Sequence, residues 1–429
     1  MARIIITISL LVLFYFIRYG VDHGGDLSAE TTMLTGIMLL TSYLLAISLK
    51  DIKLPKLTGY MLMGIVLGPI GLNFLTHDIL DNLKFLENLA LSFIAITAGG
   101  EFKRERVKKI LKTVVYLIVG QSVFVFAGLF LLIIFLAEYI PYLAGLESNL
   151  LIGFAIMFAG TATAKSPAIT IGIITELKSK GKMTDVVLAV TVIKSILLIL
   201  LFPFMISAAK IFIIDGTVIN IGMLSELSVQ FLSSIGLGTF LGVLTIIYLK
   251  HINKEVSLFL LGIAIIIMEI SSLFNVEILL ASLVTGIIVE NFSEHGDSLI
   301  QGIEKSSLPL YIIFFCFAGA DLHLGTLKQA LLLTTLLVLG RLFFIYAGNY
   351  VGALFAGENR NIKNLSWMGF VGQAGIAVGL ATIIENTFPG IVGQQLKTIL
   401  IATVVINELI GPIFFKYILI KSGETQHKG

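Results

Sequence analysis

Charge is scarce in this chain. Asp, Glu, Lys and Arg make up 13% of its 429 residues, about half the share of a soluble globular protein, against 57% hydrophobic residues and a mean hydropathy of +1.00. A water-soluble protein cannot hide so much apolar surface in its core, so a cytosolic enzyme is excluded. Cysteine is nearly absent. Cys316 stands alone in an apolar run, which excludes an intrachain disulfide framework and a thiolate metal cage. A surplus of one sign of charge is also missing. Lys plus Arg is 29 and Asp plus Glu is 27, with no basic arm or acidic tail, so nucleic acid is not expected as a partner. There is no nucleophile–His pairing, metal box or phosphate loop, so neither an enzyme nor a cofactor is expected.

What the chain has instead is long apolar runs. Only helices and closed barrels satisfy the backbone inside lipid. Barrel strands alternate in polarity over about ten residues, whereas these runs have the length of a spanning helix. Fourteen are readable: 4–19, 33–49, 55–75, 85–100, 112–136, 149–175, 184–208, 228–249, 256–272, 276–291, 307–322, 328–355, 364–384 and 397–420. The expectation is an all-α, polytopic membrane protein of about 14 spans, or 13 if 4–19 is a cleaved signal segment. With the N-terminus inside, 21 of the 29 basic residues fall in inner loops and five (Arg18, Lys84, Lys210, Lys328 and Lys397) in outer ones. That bias puts both termini in the cytoplasm of a cell membrane. The tail after 420 is expected to be short. His77 and His323, in outer loops, are candidates for sensing external pH.

The chain also contains an internal repeat. Phe93–Gly99 is echoed by Ile313–Gly319 at an offset of 220, and at the same offset Gly120-Gln121 meets Gly340-Arg341 and Gly128 meets Gly348. Phe158-Ala159-Gly160-Thr161 lines up with Phe370-Val371-Gly372-Gln373. The expected divisions are an extra helix over 1–32, a first repeat over 33–208, a linker helix over 209–255, a second repeat over 256–420 and a tail over 421–429. The loop charges start the two repeats on opposite sides, so they are inverted, as in many secondary transporters. Each repeat carries one interrupted helix. In the first, Pro167 follows Gly160-Thr161-Ala162-Thr163-Ala164-Lys165-Ser166 and removes a ladder hydrogen bond. In the second, Gly369-Phe370-Val371-Gly372-Gln373-Ala374-Gly375 places three glycines in seven residues. One such stretch would suit close helix packing alone. Two at matched positions predict broken helices that cross.

Taken together, these segments resemble the monovalent cation:proton antiporter superfamily, and within it the bacterial sodium/proton and potassium/proton exchangers. The resemblance rests on Leu54-Pro55-Lys56-Leu57-Thr58-Gly59-Tyr60 through Pro69, Ala98–Phe102, Leu308–Gly319, the two interrupted helices and Glu408-Leu409-Ile410-Gly411-Pro412, and runs from about 33 to 420. It implies a homodimer and an elevator motion of a core bundle built from the fifth to seventh and twelfth to fourteenth spans. It also implies an acidic pair midway along the span after the first break. Here that stretch reads Val190-Thr191-Val192-Ile193-Lys194-Ser195, so Lys194 and Ser195 stand at the acidic positions. All nine aspartates fall in loops or at helix ends.

The deep charges are Lys165, Lys194, Arg341 and Glu408. Intramembrane charge is costly and marks a pathway or a paired network. Each has two readings. Lys194 either exchanges a proton or pairs with Glu408 on its repeat mate. Arg341 either meets substrate or neutralises helix ends. Lys165 either lines the site or snorkels to the cytoplasm. Glu408 either takes the missing carboxylate's role or caps broken backbone. The candidate ion-site residues are Lys194, Ser195, Glu408, Asn407, Lys165, Thr161, Thr163, Gln373 and Arg341, with the hydroxyl and amide oxygens as hard ligands for a monovalent cation. The expected function is Na⁺ or K⁺ exchange for protons. The alternative is transport of an anion or other solute, drawn by the excess of buried positive charge.

Overall fold

A computed structural model describes residues 2–20, 27–51, 53–144, 146–213, 221–274, 276–294, 296–320, 331–388 and 391–425. Among them there is no strand. The helices are α1 (Ala2–Gly20), α2 (Leu27–Lys50), α3 (Lys56–Leu67), α4 (His77–Glu101), α5 (Arg104–Leu136), α6 (Pro141–Ala144), α7 (Ser148–Thr161), α8 (Pro167–Leu177), α9 (Lys182–Ile213), α10 (Ile221–His251), α11 (Val256–Phe274), α12 (Ile278–Phe292), α13 (Gly296–Ala320), α14 (Leu331–Ala356), α15 (Arg360–Leu365), α16 (Gly375–Thr387) and α17 (Ile391–Lys421). A 3-10 turn over Ser366–Phe370 follows α15. Seven of the described helices carry stretches long and apolar enough to cross a bilayer. The protein is all-α and polytopic. Asp321, His323, Lys328 and the His77 side chain lie outside the described residues.

One expected span is shorter than its apolar run. The run 55–75 is helical only to Leu67: the Gly68 amide makes the last helical bond, to the Gly64 carbonyl at 2.7 Å, and Gly68 then turns extended ahead of Pro69. Two others are split, as their Pro and Gly content predicts. The run 149–175 becomes α7 and α8, and 364–384 becomes α15, the 3-10 turn and α16.

The chain divides into two compact units, Met1–Lys103 with Ser233–Leu322 and Arg104–Leu232 with His323–Lys428. Each mixes elements of both repeats. In the first unit, α4 crosses α12 where Gly99 faces the Leu283 carbonyl and Gly286 faces the Ile96 carbonyl. The pseudo-equivalent crossing of α13 on α3 sets Gly319 against the Met61 carbonyl and Gly64 against that of Cys316. Ser92 and Ser282 share a hydrogen bond of 2.7 Å across α4 and α12.

In the second unit, α5 and α14 run antiparallel. A Cβ on Gly348 would lie 2.5 Å from the Gly120 carbonyl oxygen, so the two backbones are nearly in contact. Gly128 and Gly340, the repeat mates of Gly348 and Gly120, lie about two turns further along and accommodate Phe344 and Leu132. The α5–α14 pair carries Gln121 and Arg341, which the sequence repeat places at the same offset of 220.

Candidate functional site

The site grows from the two interruptions. The α7 helix ends at Thr161 and α8 begins at Pro167, leaving residues 162–166 non-helical. Pro167 sits at the first position of α8, where its missing amide costs nothing, and Ser166 caps the helix by accepting from the Ile169 amide at 3.2 Å. In the second repeat the backbone opens between Phe370 and Gly375. The two open segments touch directly: the Ser166 amide donates to the Gly372 carbonyl at 3.1 Å. Gly411 lets α17 lie on this junction, since a Cβ there would stand 2.5 Å from the Gly372 Cα.

Open backbone inside lipid leaves carbonyls that need donors. Arg341, 1% exposed on α14, supplies them. Its Nε donates to Ala162 O at 2.8 Å, one terminal nitrogen to Val371 O at 2.8 Å and the other to Ala164 O at 3.1 Å. One planar guanidinium thus clamps both breaks, a task for which its fixed fork is suited. Of the two sequence readings, the geometry is that of neutralising helix ends. Lys165, 2% exposed, donates to the Phe370 carbonyl, and its ammonium lies 5.3 Å from the Phe370 ring centroid. It does not snorkel. Burial in the opposite break gives it a carbonyl acceptor that the cytoplasmic route would have to replace with water.

The oxygens stand as follows. Gln373 Nε2 reaches Ala162 O at 3.5 Å, and Gln373 Oε1 accepts from Asn407 Nδ2 at 2.9 Å. The same Asn407 nitrogen donates to the Thr403 carbonyl at 2.9 Å, and a carbonyl can only accept, so the Asn407 amide is fixed with Oδ1 turned away. That Oδ1 is buried and, among the described residues, without a hydrogen-bond partner. Thr161, Thr163 and Ser195 each donate back along their own chain, to Met157 O at 2.8 Å, Gly160 O at 2.8 Å and Thr191 O at 2.9 Å. Their lone pairs remain available. Glu408, on α17, is 3% exposed.

Lys194 is 3% exposed on α9. Its ammonium reaches Gln121 Oε1 at 3.4 Å. The structure therefore joins Arg341, Lys165, Gln373 and Asn407 through the two breaks, while Lys194 is tied to α5. The sequence reading missed Gln121, although its place as the repeat mate of Arg341 was a usable signal. It also missed Ser166, Asn349, Ser366 and two carboxylate clusters at helix ends.

In the first cluster Glu358, just past α14, accepts from Thr113 at 2.5 Å and from Lys182 at 2.7 Å. Burial pushes its carboxyl up, but the Lys182 and Thr113 hydrogen bonds and the Lys182 charge outweigh that and hold it below the usual range. In the second, Glu424 accepts from the amides of Met183 (2.7 Å) and Thr184 (2.8 Å) and from the Thr184 hydroxyl (2.8 Å), capping the start of α9. Among the described residues no group of three or more His, Cys, Asp or Glu could hold a metal.

Known proteins resemble this chain. A probable Na⁺/H⁺ antiporter 3 of Methanocaldococcus jannaschii is 26% identical over 399 residues, covering 90% of this chain and 95% of the relative. A Na⁺/H⁺ antiporter of Enterococcus hirae is 21% identical over 376 residues, covering 85% and 91%. Among solved structures, the sodium proton antiporter MjNhaP1 of M. jannaschii at pH 8 has a TM-score of 0.62 at 17% identity, covering 92% of this chain and 96% of that one. An electron-microscopy structure of the same antiporter gives 0.67 at 19% identity, covering 94% and 100%. At those identities the structural likeness shows the fold. The family described as sodium/hydrogen exchanger, transmembrane, matches residues 36–421. The chain belongs to this family of transporters and is not an enzyme.

Proposed function

We propose that the protein is a secondary-active antiporter that exchanges a monovalent cation, Na⁺ or K⁺, for protons. The observation that carries this reading is the junction itself: two broken helices clamped by Arg341, beside a buried lysine whose acceptor is a neutral amide. A carboxylate partner would hold the Lys194 proton firmly. A glutamine oxygen does not, so Lys194 can release its proton and take it back. Two unit charges about 4 Å apart in an effective dielectric near 20 repel by about 4 kcal/mol, roughly a thousandfold in occupancy. A cation and an ammonium therefore exclude each other, and that exclusion is antiport. Asn407 Oδ1, Gln373, Ser195, Thr161 and Thr163 supply hard oxygens for the cation. Glu408 is the carboxylate that takes up the remaining charge or, in place of Lys194, the proton.

Alternating access follows an elevator-type motion of the unit that holds the junction, Arg104–Leu232 with His323–Lys428. The protein is a homodimer in the cell membrane with both termini cytoplasmic. A second reading draws on the buried surplus of Lys165, Lys194 and Arg341 over Glu408, and makes the cargo an anion.

The test uses proteoliposomes with an internal pH dye and outward or inward gradients of Na⁺, K⁺ and Li⁺. Lys194→Ala and Glu408→Gln are each expected to lower cation-driven proton movement. Undiminished exchange in both overturns the site. Proton movement that answers anion gradients and ignores all three cations favours the second reading.

A further inference from the structure

We propose that Gln121 and Asn349 are positioning residues that present a neutral acceptor to Lys194 and so set the pH range over which it exchanges its proton. The inference rests on the reading of Lys194 as the exchanging group. It starts from the backbone. Asn349, wholly buried on α14, donates from Nδ2 to the carbonyls of Ile362 (3.3 Å) and Lys363 (3.2 Å). Carbonyls only accept, so the Asn349 amide can take one orientation, with Oδ1 facing away from α15. That Oδ1 accepts from the Ser366 hydroxyl at 2.9 Å and from Gln121 Nε2 at 3.3 Å. The Gln121 amide is thereby fixed in turn, with its nitrogen toward Asn349 and its oxygen toward Lys194, 3.4 Å away.

The chain of dependence runs from α15 through α14 and α5 to α9. Its outcome is chemical. Gln121 is wholly buried and meets the Lys194 amine with an acceptor, never a donor. An acceptor favours the ammonium, and a neutral one favours it moderately. Charged groups of both signs stand on the elements around α9. They are Lys165 in the first break, Arg341 on α14, Glu408 on α17, Glu176 and Lys178 at the end of α8, and Asp185 in the first turn of α9. The charges of α5 fall between Arg104 and Lys112, two turns or more before Gln121. The two open segments themselves are joined by Arg341 and Ser166.

The experiment measures Na⁺-driven proton exchange in proteoliposomes across pH for the unaltered chain, Gln121→Glu, Gln121→Met, Asn349→Leu and Lys194→Met. Gln121→Glu replaces the neutral acceptor with a carboxylate, and the half-maximal pH is expected to move to the alkaline side by about one pH unit or more. Gln121→Met keeps length and volume but removes the acceptor, and the profile is expected to move to the acid side by about one unit. Asn349→Leu is expected to follow Gln121→Met. Should Gln121→Glu fail to fold, Gln121→Met carries the test alone. If Lys194→Met is inactive while the Gln121 variants leave the profile unmoved, or lower the rate evenly at every pH, the positioning role is overturned and the Lys194 reading stands. If Lys194→Met exchanges like the unaltered chain, both fall.

Discussion

Arg341 is the test of whether the broken backbone is held by one side chain. It is 1% exposed and donates to three carbonyls, two from the first break and one from the second. Arg341→Met removes all three donors at nearly constant volume. Gln373 Nε2 still reaches Ala162 O, so two buried carbonyls are left without a donor, at about 1–3 kcal/mol each. Relief of the guanidinium's own desolvation offsets part of that cost, leaving a net loss of about 2 kcal/mol. Arg341→Lys keeps the charge but reaches one or two carbonyls, so it should lose less. In a unit of this size, about 2 kcal/mol corresponds to roughly 4–8 °C in Tm. Thermal unfolding of detergent-solubilised protein reads the order: unaltered above Lys above Met. Hydrogen exchange should rise at 162–166 and 371–374 in the Met variant. A Met variant within about 1 °C of the unaltered chain, or a Lys variant no better than Met, refutes the clamp.

Glu358 is ionised and bonded in the folded chain, and its folded pKa is depressed. Its contribution to stability is therefore present above the ordinary carboxylate range and is lost as pH falls through the folded value. The Tm difference between the unaltered chain and Glu358→Gln should be flat near neutrality and shrink on acidification; a difference that grows toward acid contradicts this. Glu424→Ala removes the acceptor from the first amides of α9 and should cost about 0.5–2 kcal/mol, with faster hydrogen exchange at Met183 and Thr184. Unchanged exchange at those amides contradicts the cap. Gly348→Val drives a side chain into the Gly120 carbonyl and should cost about 1–3 kcal/mol, read as a lower Tm.

Much of the framework was legible because it rests on local chemistry. Pro167 and the Gly369–Gly375 triplet each break a helix whatever surrounds them, and both breaks are where the sequence puts them. The repeat was legible because glycines at close crossings tolerate no side chain, so Gly99 and Gly319 hold matching places. The bonds of the site were less legible. That Arg341 meets Ala162, Ala164 and Val371, and that Lys194 meets Gln121, depends on the register of α14 and α9 across tertiary contacts. Nothing in the spacing of these residues along the chain fixes that register. The Glu358 and Glu424 contacts were hidden for the same reason, each joining residues more than 170 positions apart.

The central claim is that exchange runs through Lys194 beside the crossed breaks. Reconstituted protein with an internal pH dye and a Na⁺ or K⁺ gradient tests it most directly, with Lys194→Met compared at equal protein content. The account predicts cation-driven proton movement in the unaltered chain and at least a tenfold loss in Lys194→Met, about 1.4 kcal/mol or more. Cation-driven exchange at the full rate in Lys194→Met contradicts it.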